Sequence, residues 1–111
     1  MTTMTKTLPP ALERYFAAKR SEDIDAVVLT FAEDALVQDE KHMHRGRPAI
    51  RAWIEETTAK YHASAEVTGV EANGDKLRVA ALVSGNFPGS PVTLHYDFIL
   101  RDGLIAELSI G

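Results

Sequence analysis

The spacing of apolar residues changes near Ser64, and this change limits the folds open to the chain more than any other feature. Before it, apolar residues recur every three or four positions, as in amphipathic helices; after it they alternate, as in half-buried strands. Helices followed by consecutive strands are typical of an α+β fold, with helices covering one face of an antiparallel sheet. A chain of 111 residues has room for one core. We predict a single domain over residues 8–111 after a flexible N-terminus, residues 1–7.

Three helices are predicted in the first half. The first is predicted over residues 9–19 from the helical spacing of Leu8, Leu12, Tyr15 and Phe16. The second, which ends near Asp34, is predicted from Ile24, Val27, Val28 and Phe31. The third carries one stripe formed by Ile50, Trp53, Ile54, Thr57 and Tyr61. Between the second and third helices, residues 35–39 alternate in character and predict a short strand. Residues 41–47 are polar and predict a loop.

Four antiparallel strands are predicted in the second half, over residues 65–72, 76–87, 92–101 and 104–110. Asn73-Gly74-Asp75 and Asp102-Gly103 are typical of tight hairpin turns. Alternation predicts that one side of these strands turns inward: Leu77, Val79, Ala81, Val83 and Phe87; Leu94, Tyr96, Phe98 and Leu100; Leu104, Ala106, Leu108 and Ile110. The outer face still carries Leu82, Ile99 and Ile105. Partly apolar outer faces commonly meet a second subunit, so we predict a homodimer.

The composition argues against several classes of function. With 12 Lys and Arg against 16 Asp and Glu, the net charge is −4, which offers no general attraction to nucleic acid or anionic membranes. The absence of cysteine excludes thiolate nucleophiles and disulfides, and fits a reducing compartment. No apolar run is long enough to span a bilayer. We predict a cytoplasmic protein without nucleic-acid or membrane partners.

Two residues on predicted inward faces are candidates for catalysis. Asp39 shares a strand face with Ala35 and Val37, and burial of its carboxyl would raise its pKa and make it a suitable general base. The alternative is a strand-end aspartate that turns to solvent. Tyr15 lies in the inward stripe of the first helix, where its phenol can donate a hydrogen bond to a developing oxyanion. The alternative is a core tyrosine satisfied by the backbone.

Histidine spacing raises the possibility of a metal site. His42 and His44 are alternate residues, and three further side chains could add ligands: Asp39, His62 and His95. The basic residues of the same predicted loop oppose a cation and favour solvated histidines. The chain also lacks a G-x-S-x-G nucleophile motif and a glycine-rich phosphate loop. We therefore predict neither a metal nor another cofactor.

Several stretches of the chain resemble the ketosteroid isomerases. They are Glu13-Arg14-Tyr15, residues 23–28, 31–39 and 46–50, and Asp102-Gly103-Leu104-Ile105. More broadly, the chain resembles the nuclear transport factor 2-like superfamily, which includes the SnoaL-like polyketide cyclases. The resemblance implies a cone-shaped, cystatin-like roll, in which a curved and mainly antiparallel sheet wraps around three N-terminal helices. It also implies an apolar internal pocket and a dimer formed through the outer face of the sheet.

The resemblance further implies roles for particular residues. Asp39 matches the family's base, which takes a proton α to a ketone, and Tyr15 matches the tyrosine that donates to the oxyanion. The family's second donor is an acid on the fourth strand, where either Tyr96 or Asp97 stands here; apolar alternation favours Tyr96 as the inward residue. We predict that the ligand-binding residues are Tyr96, Trp53, Phe98 and Val37.

These features together predict a cofactor-independent isomerase or cyclase. It would act by proton transfer α to a carbonyl of a small hydrophobic substrate, steroid-like or polyketide-like. The alternative is a non-catalytic module of the same fold that binds a small ligand or dimerises, because one fold hosts many functions.

Overall fold

The computed structural model of the chain describes residues 8–111, so the predicted flexible segment, residues 1–7, lies outside the described residues. The elements are α1 (Pro10–Ser21), α2 (Ile24–Leu29), β1 (Phe31–Asp39), β2 (His42–Arg45), α3 (Arg47–Tyr61), β3 (Ser64–Asn73), β4 (Lys76–Ser84), β5 (Val92–Arg101) and β6 (Leu104–Ile110). Within this range, no helix has the length and apolar character needed to cross a membrane.

The strands form one curved sheet in the order β2-β1-β6-β5-β4-β3. β1 runs parallel to β6, and every other neighbouring pair is antiparallel. The helices pack on one face of this sheet and bury the apolar residues between the two layers. The predicted α+β class, with three helices on a mainly antiparallel sheet, is confirmed.

An aromatic cluster joins α1 to the sheet. The ring of Tyr15 meets those of Phe16, Phe31 and Phe98 edge to face, with centroids 5.0, 5.9 and 5.6 Å away. Edge-to-face pairs stabilise a core beyond the area they bury, because the positive edge of one ring meets the negative face of the next. The cluster therefore restrains Tyr15 from two sides, by β1 and by β5.

The second helix is shorter than the predicted one, which ran to near Asp34. It ends at Leu29, and Thr30 closes it with a hydrogen bond from Oγ1 to the Val27 carbonyl at 2.6 Å. Phe31 fits the helical spacing but begins β1, where it pairs with Ile105 of β6. The Arg47 guanidinium also holds the Phe31 carbonyl at 2.8 and 3.0 Å. Long-range partners thus override the local periodicity.

The predicted loop over residues 41–47 contains a strand instead. β2 (His42–Arg45) pairs with the end of β1 through a two-residue turn formed by Glu40 and Lys41, which have positive φ angles of 51° and 65°. Such turns favour Asn-Gly or Asp-Gly, because most side chains resist positive φ. Glu-Lys carries no such signal, so the sequence did not reveal this hairpin.

Ile105, predicted on the outer face, is fully buried in the core. The pairing of β5 with β6 shifts register between Ile99 and Leu100, which is a β-bulge or similar irregularity. A bulge inserts an extra residue and breaks strict alternation of faces. Ile105 and its neighbour Ala106 consequently both lie inside.

The homodimer stays a prediction, and the outer face of the sheet is where we expect it. Ile99 and Leu36 border a concavity of about 270 Å³ on that face. Light scattering should give twice the chain mass of 12.2 kDa for the wild type. Ile99→Lys should give one chain mass, because a charge would be desolvated in the interface. Leu29→Lys, at a residue 63% exposed on α2, is the matched control and should remain dimeric. A wild-type mass of one chain would contradict the prediction.

Candidate active site

A cavity of about 200 Å³ opens between α1, α3 and the inner face of the sheet. It is lined by Tyr15, Lys19, Asp39, Glu40, Trp53, Thr57, Thr58, Tyr61, Ala63, Val83, Phe87, Leu94, Tyr96 and Ile110. A wider and more open groove of about 810 Å³ borders α1 and β3, but none of the predicted site residues lines it. The smaller cavity is therefore the candidate site.

Asp39 is the last residue of β1 and reaches the cavity partly buried. Burial raises the pKa of its carboxyl, and the negative charge of Glu40 adds to this effect. A hydrogen bond from Trp53 Nε1 to Asp39 Oδ2, at 3.0 Å, acts in the opposite direction because it stabilises the carboxylate. His44 also lowers the pKa, but the net result is a pKa above the ordinary value. The carboxyl thus has the surroundings of a strengthened base.

Tyr15 and Tyr96 bring two phenols to the same cavity. Neither hydroxyl forms a hydrogen bond with another described residue, and no enclosed polar side-chain atom among those residues lacks a partner. Both side chains line the cavity, although Tyr15 is only 1% exposed. Burial raises the pKa of Tyr15 well above its ordinary value, and burial together with the charge of Asp39 raises the pKa of Tyr96 to about 12. Both phenols stay protonated and available as donors at neutral pH.

The structure separates Tyr96 from Asp97. Tyr96 is 7% exposed, its ring meets Phe16 edge to face, and its side chain lines the cavity. Asp97 lies on the opposite face of β5, where Arg78 Nε donates to its Oδ1 at 3.1 Å. The phenol, and not the acid, is the β5 residue that faces the cavity.

Trp53 lies on α3 between Asp39 and β2, the strand that was predicted as a loop. Its indole stacks with the His44 imidazole, with ring centroids 5.8 Å apart and an interplanar angle of 26°. Its N–H donates to the Asp39 carboxylate. Sequence reasoning proposed Trp53 as a ligand contact but missed its bond to Asp39, because that bond depends on how α3 packs against β1.

Tyr61 and Phe87 form the rim of the cavity with Glu40. Tyr61 donates from its hydroxyl to Glu40 Oε1 at 3.2 Å, and its ring meets that of Phe87 edge to face at 5.9 Å. The segment after β4 is held against the end of α3, where Asn86 N–H donates to the Tyr61 carbonyl at 2.8 Å. A Cβ on Gly85 would lie 2.8 Å from that carbonyl oxygen, so only glycine permits this approach.

Other predicted residues lie outside the cavity wall. Val37 and Phe98 are fully buried in the core and do not line the cavity. His42 is exposed near the Glu40 carbonyl, and His62 pairs with Glu22 at 3.0 Å. Over residues 8–111, no three His, Cys, Asp or Glu side chains gather as metal ligands.

Sequence reasoning did not identify Lys19 as a lining residue. Lys19 follows Tyr15 by one turn of α1 and is partly buried. Burial lowers its pKa, while the charges of Asp39 and Glu22 raise it. The i, i+4 spacing from Tyr15 was the available signal, since residues four apart share a helix face.

Comparisons with known proteins identify the family of this chain. The model of the SnoaL-like domain family matches residues 12–108. No curated protein matches the chain. A solved structure of the protein SMa1630 from Sinorhizobium meliloti, which carries a provisional assignment as a polyketide cyclase, is 45% identical, with a TM-score of 0.90; the alignment covers 94% of this chain and 95% of that one.

Two more distant structures share the fold. A Catenulispora acidiphila protein with a ketosteroid isomerase-like fold, solved with trimethylamine, has a TM-score of 0.82 at 21% identity, covering 95% of this chain and 86% of that one. SalBIII, an epoxide hydrolase/cyclase-like enzyme in pyran ring formation in salinomycin, has a TM-score of 0.79 at 22% identity, covering 90% and 85%. Because the family model matches most of its length, the chain belongs to the SnoaL-like domain family of the nuclear transport factor 2-like superfamily.

Proposed function

We propose that this protein is a cofactor-independent isomerase or cyclase that moves a proton at a carbon next to a carbonyl. One observation carries the proposal: a carboxyl with a raised pKa, Asp39, and two phenols without protein partners among the described residues, Tyr15 and Tyr96, line one cavity. Base and oxyanion donors together are what enolate chemistry requires. The 45% identical protein that carries a provisional assignment as a polyketide cyclase supports a reaction of this class.

The proposed reaction begins with the substrate carbonyl oxygen near the two phenols. Asp39 takes a proton from the adjacent carbon, and the electron pair of that C–H bond forms an enolate whose oxygen accepts hydrogen bonds from Tyr15 and Tyr96. Return of the proton from Asp39 to a different carbon completes an isomerisation. Attack of the enolate carbon on a second carbonyl of the same molecule, followed by protonation of the new alkoxide, completes an aldol cyclisation.

The electrostatics of the cavity suit this sequence. Protonated phenols stabilise the negative charge of the enolate oxygen by donating hydrogen bonds to it. Trp53 restrains the Asp39 carboxylate, which reduces the reorganisation needed when the proton moves. The raised pKa of Asp39 also brings its basicity closer to neutral pH, where a base combines ionisation with driving force.

The size of the cavity supports a small substrate. An engineered cavity of about 150 Å³ holds benzene, whereas typical drug-sized pockets begin at about 300 Å³. At about 200 Å³, this cavity suits a substrate with one ring more closely than a four-ring steroid. We therefore propose a small cyclic carbonyl compound, or a linear precursor that closes to one ring.

Removal of the base tests the proposal. The probe is cyclohex-3-en-1-one, a one-ring ketone whose α-proton exchange in D₂O is followed by NMR and whose conjugation is followed by ultraviolet absorbance. We expect the wild type to accelerate both. Asp39→Asn should lower the rate by about 10²- to 10⁴-fold, the usual contribution of a general base. A wild-type protein that binds the ketone without accelerating exchange would favour the non-catalytic binding module.

Two controls accompany this experiment. Asp97→Asn makes the same chemical change on the outer face and should leave the rate unchanged. Thermal unfolding checks the fold of Asp39→Asn: because the native pKa of Asp39 is raised, its ionisation destabilises the folded state once the pH exceeds the ordinary value of 3.8. The variant should therefore unfold at a higher temperature than the wild type at pH 7, and this difference should disappear below pH 3.8. Equal turnover by Asp39→Asn and wild type would remove Asp39 from the mechanism.

The phenols are tested by deleting their hydroxyls. Tyr15→Phe should lower the rate by about 10²- to 10³-fold, the effect of losing one oxyanion donor. Tyr96→Phe should lower it as well, and the double variant should show whether the two donors act on the same oxygen. The rings remain, so the aromatic cluster and the melting temperature should change little. Full activity in the double variant would refute oxyanion stabilisation by these residues.

Trp53 is tested through the basicity of Asp39. Trp53→Phe removes a hydrogen bond that stabilises the carboxylate, so the pKa of Asp39 should rise further. Titration of the ¹³C-labelled Asp39 carboxyl by NMR measures this directly. Thr57→Val is the control, since Thr57 Oγ1 bonds only to helix carbonyls and does not touch the carboxylate. An unchanged or lowered pKa in Trp53→Phe would contradict the assignment.

A further inference from the structure

Lys19 is a cationic side chain in a cavity whose other ionised groups are acids. Among the described lining residues it is the one Lys or Arg, and Asp39 and Glu40 line the same cavity. It lies one turn beyond Tyr15 on α1, about 6 Å farther along the helix axis. The proposed reaction does not use it.

The ammonium group of Lys19 has no close counter-ion among residues 8–111. No carboxylate oxygen of these residues lies within 4.0 Å of it, the limit for an ion pair. The two acids whose charges raise the pKa of Lys19 have other partners. Glu22 pairs with His62 at 3.0 Å, and Asp39 accepts a hydrogen bond from Trp53 at 3.0 Å. Lys19 is thus a partly desolvated charge whose N–H groups are available as hydrogen-bond donors.

A charge in this position is unfavourable for the protein alone. Withdrawal from water penalises an ammonium group, and the lowered pKa of Lys19 reflects this penalty. A ligand carrying the opposite charge would recover the loss through charge-assisted hydrogen bonds, which are shorter and stronger than neutral ones. The same ligand without its charge would leave the penalty in place.

We propose that Lys19 selects substrates that carry a carboxylate, so that this site takes a small cyclic keto acid. The assignment of the ketone end rests on the proposed function. In this arrangement, the carbonyl oxygen lies at Tyr15 and Tyr96, the α-carbon at Asp39, and the carboxylate one helical turn away at Lys19. Asp39 and Glu40 repel an anion, so acceptance of the carboxylate depends on Lys19.

The test compares two ligands that differ in charge and little in shape. In 3-hydroxybenzoate and 3-hydroxybenzamide, the phenol oxygen imitates an enolate oxygen, and only the former carries a carboxylate. Calorimetry should show the wild type binding the benzoate about tenfold or more tightly than the amide, the typical effect of one charged hydrogen bond. Lys19→Met should lose or reverse this preference, and Lys19→Arg should retain part of it.

Arg20→Met is the matched control. It removes one positive charge from the adjacent, exposed position of α1 and should leave the preference intact. The melting temperature separates specificity from a structural role: Lys19→Met should be at least as stable as the wild type, because it removes an unpaired charge. A lower melting temperature with an unchanged benzoate preference would overturn the proposal, as would equal wild-type affinity for the two ligands.

The outcome does not depend on turnover. If the benzoate preference follows Lys19 while no ketone is ever deprotonated, the carboxylate site stands and the proposed enzyme fails. If Asp39-dependent exchange is observed while the preference is absent, the enzyme stands and Lys19 has no part in specificity. The two failures are therefore distinguishable.

Discussion

The hydrogen bond from Trp53 to Asp39 joins α3 to the end of β1 at this site. It stabilises the carboxylate form of a partly buried carboxyl. Desolvation makes Asp39 a stronger base, and the indole limits how far its pKa rises. Without the indole, burial would raise the pKa of this carboxyl further, whereas a strong ion pair would lower it.

The arrangement around Asp39 comes from elements distant in sequence. β1 carries the carboxyl, α3 the indole, and α1 and β5 the two phenols. The aromatic cluster of Tyr15 with Phe16, Phe31 and Phe98 fixes the donor side of the cavity without using any hydroxyl group. Packing holds the Tyr15 ring, and the side chain also lines the cavity. The packing that forms the core therefore also shapes the cavity.

The β1–β2 hairpin is a second support of the same site. It brings His44 onto the face of Trp53 and places Glu40 at the rim, where Tyr61 binds it. The charge of Glu40 raises the pKa of Asp39, and that of His44 lowers it. The hairpin thus contributes one charge that raises the pKa of Asp39 and one that lowers it, and it also contacts the indole. A four-residue edge strand thus influences the electrostatics at the end of its neighbour.

The sequence by itself determined the α+β class, the hairpin turns and the inward alternation of Ala35, Val37 and Asp39, because these depend on local periodicity and turn chemistry. It could not reveal the end of α2, the Glu40-Lys41 turn or the burial of Ile105, because long-range pairing, positive φ at ordinary residues and a register shift leave no local pattern. Sequence alternation favoured Tyr96 over Asp97, but only tertiary structure decided that Trp53 bonds to Asp39 and that Lys19 shares the cavity. Side chains that meet across elements are selected by packing, and packing is a property of the folded whole.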